Sequence, residues 1–139
     1  MANLEYGIRI RPETIFESGS VAKQFTAAAI ALLVQDGKLS RGDLVRTYVP
    51  ELPDFGVPIT IQHFLNHTSG IRSQWPLLTL AGRPPGKAVH TIAEILELVS
   101  RQKELNFKPG DDYLYNNTAF VLLGVIVGRV SGKPFAEFS

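Results

Sequence analysis

Two short stretches of the chain hold residues whose types and spacing suit nucleophilic catalysis. In Glu17 to Val34, ESGSVAKQFTAAAIALLV, Ser20 stands three positions before Lys23, a spacing that puts two side chains on one helix face within hydrogen-bond reach. A hydroxyl with an amine beside it is a nucleophile with its base. At the start of a helix, unpaired N–H groups and the positive end of the dipole also face any negative charge that develops. The Ser20 N–H could then supply one donor of an oxyanion hole. The second stretch is Tyr115-Asn116-Asn117, which follows the turn Lys108-Pro109-Gly110-Asp111-Asp112. A tyrosine near an ammonium gives up its proton more readily, so Tyr115 could take a proton from serine and return it to a leaving group. Asn117 offers a donor and an acceptor to a substrate amide or to a lysine. Each residue also has a plainer reading: Ser20 as a helix cap, Lys23 as a solvated side chain, Tyr115 as a core aromatic with a bonded tip, Asn117 as a cap.

The elements that must position these residues are mostly helical. Leu4, Tyr6, Ile8 and Ile10 alternate with more polar residues and predict a short N-terminal strand or hairpin. A helix is expected from about Val21 to Gln35, stopped by Gly37, and being apolar nearly all round it reads as enclosed by protein. A short helix follows around Asp43 to Tyr48, and another is capped by Thr60, with Ile61, Phe64 and Leu65 on its apolar face. Ile71 to His90, rich in proline and glycine, reads as a long loop forming a rim or lid. Thr91 and Glu94 make a capping box ahead of Ile92, Ile95, Leu96 and Val99. Asn116 or Asn117 caps a helix to about Ser131, closed by Gly132; its β-branched residues and Gly124 and Gly128 would also fit a strand, but its length argues for a helix against a close neighbour. Pro134 opens a last helical turn. Four to six helices around Val21 to Gln35, in one domain spanning 1–139, is the expected architecture.

Composition narrows the function classes. A formal net charge of +1, with no basic stripe, gives no footprint for nucleic acid. The chain has no cysteine, so disulfides, thiolate metal sites and cysteine nucleophiles are excluded, and nothing in it calls for a metal or cofactor. The apolar runs Phe25 to Val34 and Ala119 to Val127 fall short of the ~20 residues a membrane span needs. MANLEYGIRI lacks the apolar core of a signal peptide, so a cytoplasmic location is expected if Met1 is the natural start.

Four segments in order, ESGSVAKQFTA, LNHTSGI, FKPGDDYLYNNTAFVLLG and VSGKPFAEF, resemble the serine β-lactamase and penicillin-binding-protein superfamily, closest to its branch of class C β-lactamases, esterases and D-alanyl-D-alanine peptidases. The resemblance runs over essentially the whole chain. It implies that Ser20 is the acylated nucleophile, Lys23 its bonded partner and base, Tyr115 the second base and proton shuttle, and Asn117 a contact for the substrate amide. It implies an architectural role for LNHTSGI, with His67 a structural hydrogen-bonding residue. Asn116 stands where the family usually has serine, a change expected to matter little.

The family's third motif, Lys-Thr-Gly or His-x-Gly on a strand of a C-terminal antiparallel sheet, has no counterpart in the chain. The chain is therefore expected to be the helical subdomain of the β-lactamase/transpeptidase-like fold without its C-terminal sheet, and short of the second oxyanion donor which that strand supplies. Two functions follow. One is a weak serine hydrolase acting on small esters, β-lactams or D-alanyl peptides through an acyl-enzyme on Ser20. The other is a non-catalytic helical binding or scaffold fragment. Either would expose apolar helix faces, so a homo-oligomer or a complementary chain is the expected partner.

Overall fold

The computed structural model describes residues 1–86 and 89–139. Among these the chain forms a 3₁₀ turn, Gly19–Ala22, and seven α-helices: α1 Lys23–Gln35, α2 Val45–Tyr48, α3 Ile61–Leu65, α4 Gln74–Leu80, α5 Ile92–Ser100, α6 Asn117–Ser131 and α7 Phe135–Phe138. Lys87 and Ala88, within the stretch expected to be a loop, lie outside the described residues.

The core is organised on α6, against which α1, α2, α3, α4 and α7 all pack. Ala119, Leu122, Leu123, Ile126 and Val127 of α6 are fully enclosed, and Ala29, Ile30 and Leu33 of α1 meet them in the same apolar cluster. Phe64 of α3 and Val45 of α2 belong to the same cluster. Burying a side chain of this size stabilises by about 1.5–3 kcal/mol, so the α1–α6 contact is a main source of fold stability. The expected close neighbour of α6 includes α7 and the turn before it: a Cβ at Gly124 would stand 4.0 Å from Phe135, and one at Gly128 3.6 Å from the Lys133 carbonyl, both ordinary contact distances.

Local chemistry sets the ends of the helices. After α1, Gly37 adopts φ 68°, and the Gly37 and Lys38 N–H groups return to the Val34 and Leu33 carbonyls in a Schellman closure. Thr60 caps α3 in a capping box whose third member is His63, its Nδ1 accepting from the Thr60 N–H. Thr91 and Glu94 form the box of α5.

Four expectations need correction. No strand or hairpin forms at the N-terminus of the described residues; the chain turns back through Gly7, with a single antiparallel bridge between Asn3 and Ile8. Leu4, Tyr6, Ile8 and Ile10 stay exposed, because alternation makes a strand only where a neighbour pairs with it. Ile71 to His90 contains α4, whose Pro76 falls in the first turn, where a missing N–H costs nothing. That helix brings the total to seven rather than four to six. Finally, α1 is enclosed on one face only: Val21 ahead of it, and Phe25 and Leu32 on it, are 61%, 56% and 51% exposed.

Candidate active site

Ser20 lies not in α1 but in the 3₁₀ turn ahead of it, entered through Gly19 at φ 51°. A left-handed φ of this kind favours glycine. The turn buries none of its residues, so the Ser20 hydroxyl is open to solvent. The Lys23 N–H, the first of α1, bonds back to the Ser20 and Val21 carbonyls, which fixes the turn to the helix. No backbone acceptor meets the Ser20 N–H among the described residues.

From the other side comes the entry to α6. Asn116 caps this helix, its Oδ1 accepting from the Ala119 N–H at 3.0 Å. Its amide also donates to the Ile71 carbonyl at 2.6 Å, and its backbone N–H donates to His67 Nδ1 at 3.0 Å. These three bonds anchor a fully buried residue between Tyr115 and Asn117. Its neighbours Tyr115 and Asn117 thereby reach Ser20 and Lys23 respectively.

The side chains converge from opposite ends of the sequence. Tyr115 Oη donates to Ser20 Oγ at 2.6 Å across 95 residues. Lys23 Nζ donates to Ser20 Oγ at 3.3 Å and to Asn117 Oδ1 at 2.8 Å. The lysine also stands 4.9 Å from the Tyr115 ring centre and 5.7 Å from that of Phe120, where a cation is attracted to the aromatic face. The Lys23 ammonium first, and the bond to Ser20 second, hold the Tyr115 phenol below its ordinary value of 10, against a smaller opposing effect of burial. All four side chains singled out in the sequence thus meet in one place. Lys23 is half-buried there, while Ser20 and Tyr115 are exposed.

His67 is the residue whose position the motif spacing does not reveal. It adopts φ 59°, unusual for a side-chain-bearing residue, and its ring lies 4.6 Å from that of Tyr115 and 5.0 Å from that of Phe120. Burial, and secondarily the Lys23 charge, hold its imidazole below the usual 6.5. The two residues after Thr68, Ser69 and Gly70, form a tight crossing with the segment at Phe107: the Asn106 N–H donates to the Gly70 carbonyl at 2.7 Å. The architectural reading of LNHTSGI extends to the site itself.

Beside Tyr115 opens a cleft of about 330 Å³, walled by Pro76, Leu77 and Leu80 of α4 and by Leu114, with Arg72 and Asn106 at its edge. It is apolar and adjoins the serine's partner, a setting suited to an acyl or leaving group. Among the described residues no three His, Asp or Glu side chains gather as a metal site, and no helix is long and apolar enough to cross a membrane.

Comparison with known proteins shows the family of the chain. A family profile described as Beta-lactamase matches residues 1–139. The chain belongs to the beta-lactamase family. Penicillin-binding protein 4* of Bacillus subtilis is 34% identical to it over 130 residues, covering 93% of this chain and 28% of that protein. The structure of the octameric penicillin-binding protein homologue from Pyrococcus abyssi superposes with a TM-score of 0.80 at 36% identity, over 99% of this chain and 32% of that one. EstCE1, a hydrolase with promiscuous acyltransferase activity, gives a TM-score of 0.83 at 26% identity, over 99% and 39% of the respective chains. This beta-lactamase-family chain therefore spans roughly a third of the length of the relatives it matches. It is mainly α, the helical part of the fold, and no sheet forms among the described residues.

Proposed function

We propose that the chain carries the acylation centre of a serine hydrolase. The observation that supports this most is the 2.6 Å bond between Tyr115 Oη and Ser20 Oγ, with Lys23 bridging the serine to Asn117. When Tyr115 is ionised, the Ser20 O–H turns to donate to it. Oγ then attacks the carbonyl carbon of the substrate, the proton passes to Tyr115, and Tyr115 returns it to the departing alkoxide or amine, leaving acyl-Ser20. Lys23, as an ammonium, keeps the phenolate stable by its charge, which leaves Tyr115 as the base in this step. Asn117, held by Lys23, presents its amide N–H groups to the substrate. Water then hydrolyses the ester on Ser20.

Small esters, β-lactams and D-alanyl peptides are the proposed substrates, a reading supported by the family match. The Ser20 N–H would supply one oxyanion donor. The exposed Val21, Phe25 and Leu32 make self-association the proposed assembly, and the octameric Pyrococcus relative shows that assembly is compatible with this family. Those same exposed residues also favour the second reading, a helical binding fragment that keeps the motif residues without turnover.

Hydrolysis of p-nitrophenyl butyrate, with intact-mass detection of a fluorophosphonate adduct, separates the two readings. Turnover and labelling that both vanish in Ser20→Ala support the hydrolase. A folded protein with neither supports the fragment.

A further inference from the structure

We propose that His67, as a neutral imidazole, is a positioning residue for Tyr115 and Asn117, and that protonating it disarms the site. This rests on the hydrolase reading for its kinetic consequence, but its structural part stands alone.

The direction of one hydrogen bond carries the inference. The Asn116 backbone N–H donates to His67 Nδ1 at 3.0 Å, so Nδ1 must be the unprotonated nitrogen, and the ring is the neutral tautomer with its proton on Nε2. Asn116 lies between the two side chains that reach Ser20 and Lys23. The His67 backbone grips the same segment, its carbonyl accepting from the Leu114 N–H at 3.0 Å. Residues 114 and 116 are therefore fixed on His67, and the Tyr115 ring between them lies on the imidazole at 4.6 Å. A proton added at Nδ1 would face the Asn116 N–H donor to donor. The bond would be lost, and the segment carrying Tyr115 and Asn117 would move away. A displacement near 1 Å at a reacting group can cost about 10² in rate.

The groups facing the imidazole oppose its protonation or leave it unaided. From α1 comes the Lys23 ammonium, whose repulsion adds to burial in favouring the neutral ring. From the segment before α6 come Tyr113, edge-on at 5.9 Å, and Tyr115, while the nearby Asp112 carboxylate is engaged by the Tyr113 N–H. On α3, His63 is turned to the Thr60 N–H, and α6 contributes the uncharged Phe120. The left-handed φ of 59° at His67 is one that asparagine tolerates, and its side-chain oxygen sits as many bonds from Cα as Nδ1 does. Asparagine thus keeps the acceptor and removes the titration.

The test combines His67→Asn and His67→Ala with Ser20 labelling. In wild-type protein followed by NMR from pH 8 to 5, the Asn116 amide and Tyr115 ring signals should move with the His67 ring titration, below 6.5, and hold still over that range in His67→Asn. Signals that stay fixed while His67 titrates would overturn the proposal, whether or not the protein turns over. In kinetics, kcat for p-nitrophenyl butyrate should fall on the acid side in wild type, and this limb should vanish in His67→Asn. His67→Ala should lose about tenfold or more in kcat with KM little changed. An acid limb identical in wild type and His67→Asn would overturn the kinetic consequence. Absence of fluorophosphonate label on Ser20 would count against the hydrolase reading instead, and the NMR titration would still decide His67. Circular dichroism establishes that each variant is folded, and the wild-type titration needs no variant.

Discussion

Replacing Asn116 by alanine tests the claim that this buried residue, rather than a freely variable spacer, holds the site together. The substitution deletes the cap on α6, a loss of about 1 kcal/mol. It also strands the carbonyl of Ile71, itself buried, which now accepts from the Asn116 amide at 2.6 Å; an unsatisfied buried acceptor costs about 1–3 kcal/mol. The two together give a destabilisation of about 3 kcal/mol, or a fall of ~10 °C in Tm for a domain of this size. Urea unfolding with an unchanged slope would measure it. The aspartate variant sharpens the reasoning. Its carboxylate can still accept from the Ala119 N–H, but its second oxygen would meet the Ile71 oxygen with no proton between them. Asn116→Asp should therefore be as unstable as alanine at neutral pH. Relative to wild type it should recover as pH falls through the raised carboxyl value, when a protonated oxygen can donate to Ile71. A cost under 1 kcal/mol for alanine, or an aspartate variant whose deficit does not shrink at low pH, would refute the assignment of these bonds.

Other outcomes follow from the same contacts. Tyr115→Phe should keep Ser20 in place but lower esterase kcat by about 10²–10⁴, read directly from initial rates. Spectrophotometric titration should show Tyr115 ionising below 10, owing first to Lys23, whereas Tyr48, donating to Asp43 at 2.6 Å, is pushed up to about 12; Tyr48→Phe should remove the late component alone. Gly70→Ala places a Cβ 2.0 Å from the Phe107 carbonyl oxygen at φ 71° and should cost more than about 2 kcal/mol in chemical unfolding. The Arg129 guanidinium, bonded to both Glu51 oxygens, holds that carboxyl below its ordinary value. Its contribution is present above the unfolded value and is lost as pH falls through the folded one. Because both groups are more than a third exposed, Arg129→Met should cost under about 1 kcal/mol at pH 7 and less still at pH 3, measured by urea unfolding at the two pH values.

What the sequence made legible was local. Thr60, Thr91 and Asn116 as caps, and Gly37 and Gly132 as stops, can be read because the groups they satisfy lie within four residues. Ser20 and Lys23 are legible as a pair for the same reason. The N-terminal alternation misleads because a strand depends on a partner that spacing cannot supply. Pro76 masks α4, since a proline reads as a breaker unless it is known to fall in a first turn, and the Gln74 N–H that starts this helix is met by Thr118 Oγ1, 44 residues away. His67 and Asn116 acquire their importance from a bond spanning 49 residues. No periodicity records it.

The long span between Ser20 and Tyr115 also bears on how the protein comes to be active. Ser20 and Lys23 come together with the first helix, but the complete centre cannot exist until Tyr115 and Asn117 emerge with the entry to α6. The intervening segment must be closed into a loop before serine and tyrosine meet, and α1 must dock on α6 for the geometry to persist. Reactivity at Ser20 should therefore appear late and all at once during refolding. A time course of fluorophosphonate capture would then serve as a clock for the docking of α1 on α6.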